Sequence, residues 1–578
     1  MKKQRVIVAV DFGTHGTGFA WTTIDDLHKD PKRRQIWVRT RWKDHPSPYP
    51  KNLSALLLDA NDEIIAWGYE ARRRWAMLSA QGKPGGCRYV SSFKMSLAPD
   101  PERSTGEISG GTLKPEESRM LATQILKSIS SLAVEEVQKS GFSADEIRWC
   151  LTVPAIWDDY QKQLMKEAAV AAGLPDDPRR MQLVLEPEAA AYHARVSTVR
   201  TVHASGGRAS LLSRGSRFLV ADCGGGTVDL TAYRTDNTNK LVEIGREYGG
   251  KYGSEYVNQA FLESVLTQRF GSYSAIDKIN SGAPASLLEL MDSWEKAKAV
   301  FDGCGDDDIY LQLPAAIDRL LDEESRNSLR EQQAGVVDFI VVKAAEAREV
   351  FEVVVPKILS LVDKQLAEMK SQRRNSPGRE LVILVGGFGN SPYLQKRLEG
   401  HLAGRADILV PPEPEVAVLR GAVHYLYDPQ TKSRRTKYTY GCNSALPFSP
   451  GRDPEGSKFI SYDGRELCEA RFKRFVHAGQ SVRADEVVEH SFLPLQPNQE
   501  SVRFDLFVTN SVYPRYVTDD GCRKVGEMTI DLSEVMSLPL DERSVNLQML
   551  FGEVQIRVTA TVAKTGQSTT VDLDFMPA

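Results

Sequence analysis

Apolar residues in this chain arrive in short blocks that end on an acidic residue or on glycine. Residues 6–10 run into Asp11-Phe12-Gly13-Thr14-His15-Gly16-Thr17-Gly18, and Phe19-Ala20-Trp21 resume the apolar pattern. Residues 218–221 run into Asp222-Cys223-Gly224-Gly225-Gly226-Thr227, followed by Val228-Asp229-Leu230. Each block predicts a buried strand, a tight glycine turn and a second strand. A third block, residues 381–385, ends in Gly386-Gly387-Phe388-Gly389-Asn390-Ser391-Pro392, and a helix is expected over 393–402. Taken singly, such a turn reads either as a loop that points N–H groups at a phosphate or as an ordinary hairpin turn. The repetition of strand, Asp and glycine turn at Asp11 and Asp222 favours two related lobes with a nucleotide between them.

Between these blocks the period changes. Residues 116–139 place Met120, Leu121, Ile125, Ile129, Leu132 and Val137 at helical spacing, with Pro115 tolerated in the first turn and Gly141 as the stop. Residues 147–153 predict a strand closed by Pro154. A helix capped by Asp158 or Asp159 then runs through Ala172 to Gly173. Residues 181–185 predict a short strand, and Glu186-Pro187 opens an Ala-rich helix. Residues 29–50 suggest an edge strand with loops around Ile36, Val38 and Trp42, and residues 52–68 alternate around an Asn61-Asp62 turn. Residues 80–113, which carry Ser91-Ser92-Phe93-Lys94-Met95, are expected to be mostly irregular, and 197–216 to be a surface loop. From Tyr233 to Met369 the chain is expected to be mainly helical, most clearly at 261–270, 287–301 and 342–369, with Pro356 interrupting the last. Beyond Lys432 a period of two takes over at 472–476, 487–493, 502–509, 528–532, 545–550 and 554–562. Turn signals such as Asp463-Gly464 and Asp520-Gly521 separate these runs, which predicts a β-sandwich of about 140 residues.

Composition narrows the function classes. A chain of 578 residues is too long for one core; roughly three to four domains are expected. Apolar content of 41%, charged content of 26% and a net charge of -4 suit a soluble globular protein and give no reason to expect nucleic acid or membrane as a partner. The basic runs Arg72-Arg73-Arg74 and 432–437 are short enough to be solvated faces or linkers. Seven scattered cysteines without a C-x-x-C pair indicate neither zinc nor a disulfide framework. No apolar run near the N-terminus is long enough for a leader or a span, so a cytoplasmic or nuclear location is expected.

Three glycine turns at strand ends fit an ATP site shared by two lobes, with Asp11 and Asp222 facing each other across a hydrated Mg²⁺. The G-x-x-x-x-G-K-[ST] loop of other ATPases is absent, as is G-x-G-x-x-G at these turns. The ordered set, residues 8–20, 218–233 and 382–398, resembles the two phosphate motifs and the adenosine motif of the actin, sugar-kinase and heat-shock ATPase superfamily. Two further segments resemble the 70-kDa heat-shock protein family. One is Leu151-Thr152-Val153-Pro154-Ala155, with a following helix that ends Ala171-Ala172-Gly173-Leu174; the other is Leu185-Glu186-Pro187-Glu188-Ala189-Ala190-Ala191. The nearest resemblance is to the divergent, lid-poor branch described as family A member 12-like, which includes fungal actin-like ATPase-domain proteins. It covers residues 6–426 well and the remainder loosely.

That resemblance implies an α/β fold: a two-lobed actin-like ATPase domain of duplicated ribonuclease H-like lobes, then a C-terminal β-sandwich without a helical lid. The nucleotide-binding domain would span 1–430, with lobe I about 1–195, lobe II about 217–410 and a closing helix about 413–427; the β domain would span 431–578. By the same resemblance, Gly13 and Thr14 contact the β- and γ-phosphates, with His15 beside them. Lys94 holds the γ-phosphate and helps position the attacking water. Glu186 orients that water or a magnesium ligand. Asp222, with Asp11, serves the metal. Thr227 and Gly224, Gly225 and Gly226 bind the γ-phosphate, and Gly253, Ser254 and Glu255 border the phosphates. Glu295 and Lys298 take the ribose or adenine edge, Gly386, Gly387 and Phe388 the adenosine, and Glu415 the ribose side. Such an arrangement suits phosphoryl transfer, in which positioning and charge neutralisation supply most of the catalysis.

Plainer readings stand beside these. Lys94 alone reads as a surface lysine, Glu186 as a helix-capping acid, Glu295 and Lys298 as a helical ion pair, His15 as a packed or solvent-facing histidine, and Cys223 as a small buried hydrophobe. The chain also departs from the family. His15-Gly16 stands for Thr-Tyr, Ala299 for an arginine that stacks on adenine, and the polar, basic stretch 427–440 for an acidic-leucine linker, and neither a lid nor an acidic tail is expected after the β domain. The expectation is therefore a weak ATPase: an ATP- or ADP-binding, chaperone-like protein using Mg²⁺, with a protein partner or client on its β domain and nucleotide-exchange partners. The alternatives are a nucleotide-sensing adaptor with negligible turnover and, behind it, a small-molecule kinase of the superfamily; a filament-forming actin relative fits least.

Overall fold

In the computed structural model, which describes residues 4–29, 34–82, 85–97, 113–201, 214–372, 380–429, 431–483, 486–551 and 556–572, the first apolar block is the strand Val6–Phe12. All seven of its residues are buried, so both of its faces are covered. It turns back as Gly16–Thr23, pairing antiparallel from Val6↔Thr23 to Phe12↔Thr17. On its other side it pairs parallel with Ile147–Val153, which pairs parallel with Met181–Leu185. Trp37–Val38 and Asn52–Leu53 complete this six-stranded sheet.

The second apolar block gives Arg217–Cys223 and Val228–Thr235. Arg217–Cys223 lies parallel to Glu380–Val385, in register from Phe218↔Leu381 to Asp222↔Val385, and Glu380–Val385 lies parallel to Ala406–Leu409. Buried parallel strands read as continuous apolar runs, which is why the sequence shows no alternation here. The result is a mixed α/β fold with several sheets.

Three helices show how the pattern becomes packing. Pro115–Lys139 buries Ala122, Ile125, Leu126, Ile129, Ala133 and Val137, one stripe at helical spacing. Glu186–Thr201 owes its alanines to a close crossing with Ala417–Tyr427: a Cβ on Gly421 would lie 1.7 Å from the Ala189 carbonyl oxygen. Only small residues on both helices allow that approach. Pro356 lies in the first turn of Val355–Ser371, and the preceding helix stops at Glu352, so the long apolar run is two helices.

Some short elements depart from expectation. Within 80–113, Arg88–Ser91 is a strand and Phe93–Leu97 a 3-10 turn; residues 83–84 and 98–112 lie outside the described residues. Four or five residues are too few to display a period. Of the expected 197–216 loop, 197–201 instead continue the helix Glu186–Thr201, and 202–213 are likewise outside. The stretch 233–369 holds strands besides its helices, among them the antiparallel pair Ile309–Gln312 and Phe339–Val342. Glu466–Val476 is longer than its alternating part, because Ala470 at φ 58° breaks the alternation.

By contact density the chain divides into two units. The first comprises residues 1–156, 164–232 and 248–429, the second 157–163, 233–247 and 430–578. Within the second, Lys458–Ile460, Glu466–Val476, Thr439–Pro447, Ser501–Thr509 and Arg523–Asp531 form an antiparallel sheet; Val487–Phe492, Val545–Leu550, Arg557–Val562 and Ser568–Asp572 form another. Residues 545–550 and 557–562 alternate strictly between buried and half-buried. Side chains of both sheets, including Phe504, Leu506, Ile530, Leu547 and Val558, share one apolar core.

Candidate functional site

All of the candidate geometry lies in the first unit. The turns after Asp11 and Asp222 are built alike. The Gly13 N–H donates to the Gly16 carbonyl at 3.1 Å, and the Gly224 N–H donates to the Thr227 carbonyl at 2.9 Å. Each bond joins the residues two and five positions beyond the aspartate, so the repeat seen in sequence is a repeat of backbone geometry. The two turns also touch: a Cβ on Gly226 would lie 2.5 Å from the Thr14 hydroxyl oxygen and 2.2 Å from the Met95 sulfur. The third turn needs its glycine for conformation as well as space. Gly386 has φ 85°, and a Cβ there would meet the Cys223 carbonyl at 2.4 Å and Asp222 Oδ1 at 2.5 Å.

The three turns line a single cavity of about 350 Å³, within the range of small-molecule sites. From the first turn come Asp11, Gly13, Thr14 and His15; from the second, Asp222, Gly224, Gly225, Gly226 and Thr227; from the third, Gly386, Gly387 and Phe388. Lys94, Glu186, Ser254, Glu295, Lys298 and Glu415 also face it. Gly253 and Glu255 do not. The Gly253 N–H donates to the Gly226 carbonyl and the Glu255 N–H to the Gly225 carbonyl, so these two brace the second turn from behind. The Glu255 side chain faces a neighbouring cavity of about 130 Å³, to which Thr14, His15 and Glu295 also contribute.

Lys94 is brought inward by the 3-10 turn Phe93–Leu97, which follows Ser92 at φ 58°. Its side chain is 5% exposed, and its Nζ donates to Glu186 Oε1 at 2.9 Å. It is not a surface lysine. Glu186 is both the first residue of its helix and the partner of Lys94. Burial pushes its carboxyl up to about 7; Lys94 opposes the rise, while Asp11 and Asp229 add to it. Lys298 donates to Glu295 at 2.5 Å, to Asn258 Oδ1 at 2.8 Å and to the Ser254 carbonyl at 3.2 Å. The pair is thus a helical ion pair that also faces the cavity. His15 is exposed at the cavity mouth. Cys223 is fully buried, and burial together with Asp222 and Asp229 pushes its thiol well up, as befits an inert small hydrophobe.

Three features in and around the cavity stand outside the site residues expected from the resemblance. Lys51 Nζ donates to Asp11 Oδ2 at 2.6 Å, while the Thr152 hydroxyl donates to Asp11 Oδ1 at 3.0 Å. Burial works to raise the Asp11 carboxyl, but Lys51 and Lys94 more than offset it and hold it below its usual value. Asp229, the second acid of its motif, is buried and accepts the Ile156 N–H at 2.8 Å. Tyr49 and Tyr69 contribute aromatic rings to the cavity wall. For Lys51 the available signal was its position just before Asn52–Leu53, which pairs with Gly16–Thr23 beside the first glycine turn.

The electrostatics of the cavity floor are unbalanced. Three buried carboxylates that line it, Asp11, Glu186 and Asp222, and a fourth that does not, Asp229, lie near two lysines, Lys51 and Lys94. Asp222 bears the consequence: burial, then Glu186, Asp229 and Asp11, push its carboxyl well above the usual range. A cation would restore the balance. Among the described residues no cluster of three or more His, Cys, Asp or Glu side chains could hold a metal ion directly. The donor set fits a hydrated ion that leans on Asp222 and on a ligand's oxygens.

Comparison with known proteins shows what the chain as a whole is similar to. The chain is 29% identical to human Heat shock 70 kDa protein 12B, with 99% of this chain and 91% of that protein covered. It is 28% identical to mouse Heat shock 70 kDa protein 12A over the same shares. Chaperone protein DnaK of Elusimicrobium minutum is 24% identical, covering 60% of this chain and 48% of its own length. The chain is similar along nearly its whole length to 70-kDa heat-shock proteins. Residues 213–411 also match a family described as Domain of unknown function (DUF8340). Ala299, where the heat-shock pattern has a stacking arginine, faces the cavity, and so does Gly16 of the departing His15-Gly16 pair. No helix among the described residues is long and apolar enough to cross a membrane.

Proposed function

We propose that this heat-shock 70-kDa relative binds ATP and ADP in the cavity between the glycine turns, hydrolyses ATP slowly, and acts as a chaperone-like protein. The observation that carries the reading is the convergence of three glycine turns and the buried Lys94–Glu186 pair on one cavity. In this reading the turns around Thr14 and Thr227 hold the phosphates by N–H and hydroxyl donors, and Gly386, Gly387 and Phe388 take the adenosine. Lys94 balances the charge of the transferring phosphoryl group, and Glu186 orients the attacking water. Asp222, among Glu186, Asp229 and Asp11, would hold hydrated Mg²⁺, which would neutralise phosphate charge when bound.

The two sheets bearing the first and second motifs correspond to the two actin-like lobes, with 413–427 closing the domain. The two sheets of the second unit correspond to a β-sandwich that docks a protein partner or client, and nucleotide-exchange partners act on the ATPase part. A cytoplasmic or nuclear location suits this role. Single-turnover hydrolysis with the purified full chain tests the enzyme claim. The expected result is a magnesium-dependent rate that Lys94→Ala removes; a rate no higher than that of Lys94→Ala overturns it.

A second reading, a nucleotide sensor with negligible turnover, is favoured by Ala299 at the cavity wall, because a missing cation–π contact loosens the nucleotide. Nucleotide binding by calorimetry without turnover would select it.

A further inference from the structure

The first motif carries a lysine that its sequence pattern does not include. Lys51 reaches Asp11 from the position just before the strand Asn52–Leu53, and its stem runs along the first glycine turn. A Cβ on Gly16 would lie 3.1 Å from Lys51 Cβ, and one on Gly18 would lie 3.1 Å from Lys51 Cγ. Gly16 stands where the resembling family carries a tyrosine, so the space that side chain would fill lies open to the Lys51 stem. The ammonium ends 2.6 Å from Asp11 Oδ2, in the wall of the same cavity as Thr14, Lys94 and Asp222. With Thr152 on its other oxygen, Asp11 has both carboxylate oxygens engaged.

We propose that Lys51 is a tethered cation that takes over the Asp11 half of the metal site and binds the nucleotide's phosphates there, leaving only Asp222 to a hydrated metal ion. The proposal rests on the nucleotide reading of the cavity. It divides the cationic duty of the site between a covalently held ammonium and a divalent ion. Two consequences follow. Free metal binds the apoprotein weakly, because one of the two carboxylates is occupied. Nucleotide affinity depends only shallowly on metal, because one cation is always present. Gly16 is thereby more than a lost phosphate contact: it is the opening through which the replacement cation enters.

The test uses the full chain, Lys51→Met, which keeps the stem and removes the charge, and Lys51→Arg, which restores a cation. Unfolding temperatures verify that each variant is folded. Binding of Mn²⁺ to the nucleotide-free protein is read by electron paramagnetic resonance, and ADP affinity is read by calorimetry with magnesium and with a chelator. Lys51→Met is expected to bind Mn²⁺ at least about tenfold more tightly than wild type, and Asp222→Asn in that background to abolish the gain. Wild-type ADP affinity is expected to change by no more than about threefold when magnesium is chelated, against more than about thirtyfold for Lys51→Met, with Lys51→Arg close to wild type. Equal Mn²⁺ binding by wild type and Lys51→Met overturns the proposal whether or not the protein binds nucleotide. So does an equal metal dependence of ADP affinity. If neither protein binds ADP with magnesium but Lys51→Met gains Mn²⁺, the nucleotide reading fails while Lys51 still holds Asp11 away from metal.

Discussion

Asp222 and Asp453 are both buried carboxylates, and the chain treats them in opposite ways. Asp453, in the second unit, has a side chain with no solvent exposure and is surrounded by donors. The Ser449 N–H reaches it at 2.7 Å, the Tyr516 hydroxyl at 2.6 Å, Arg515 Nη2 at 2.5 Å and Arg471 Nη1 at 3.2 Å. Burial works to raise its carboxyl, but the bonds from Tyr516, Ser449 and Arg515 and the charge of Arg471 hold it far below the usual range. Asp222 sits instead among Glu186, Asp229 and Asp11, and is pushed well above that range. A buried charge whose donors are complete serves the fold; one left among like charges costs stability until a ligand completes it. Two buried acids in one chain thus differ in how fully their donors are supplied, and the proposed binding role falls to the less fully supplied one.

The sharpest way to break that distinction is at Lys94 and Glu186. Lys94→Ala or Glu186→Gln is expected to lower single-turnover hydrolysis by about 10²–10³-fold while changing ADP affinity by less than about tenfold. A loss confined to stability would make the cavity acids as structural as Asp453. The converse experiment is Asp453→Asn, which leaves the half-buried Arg471 and Arg515 beside a neutral group. A clearly lower unfolding temperature is expected by calorimetry, with ADP affinity unchanged; a change in affinity instead would merge the two clusters.

A subtler consequence is a pH dependence of opposite sign at the two clusters. The Glu186 carboxyl is pushed up to about 7 from an ordinary 4.5. The folded apoprotein therefore holds this proton more tightly than the unfolded chain does. Its stabilising contribution is complete below the unfolded value and is lost as pH rises through about 7. Relative to Glu186→Gln, the unfolding temperature of nucleotide-free wild type should fall over that window. Asp453, with its carboxyl held low, contributes stability above the unfolded value of 3.8 and loses it as pH falls further. The smallest expected effect is at the adenosine side: Ala299→Arg should tighten ADP by about two- to fivefold, the scale of one exposed cation–π contact.

Much of the cleft could be read from residue order, because its chemistry sits in short contiguous turns. Asp11 to Thr14, Asp222 to Thr227 and Gly386 to Phe388 each carry a strand end, a turn and cavity-facing residues within a short stretch. The long helix Pro115–Lys139 and the alternating strands of the second unit were equally plain, since each runs long enough to show its period. What escaped depends on residues distant in the chain. Lys51 finds Asp11 through the pairing of Asn52–Leu53 with Gly16–Thr23, and nothing in Tyr49-Pro50-Lys51-Asn52 announces a cavity. The strand Arg88–Ser91, which delivers Lys94, is too short to have a period. The donors of Asp453 come from positions 449, 471, 515 and 516, a convergence only the folded sheets create.

The central claim, that the glycine turns enclose a nucleotide site, is tested most directly by titrating ADP with magnesium into the full chain and into Gly387→Glu. Gly387, which lines the cavity, has an ordinary helical φ of -63°, and a Cβ there meets nothing within 4 Å, so the fold tolerates a side chain at this point of the wall. The predicted result is saturable binding of one ADP per chain, weakened at least about tenfold in Gly387→Glu with its unfolding temperature unchanged. No saturable binding up to about 1 mM ADP, or equal binding by both proteins, would contradict it.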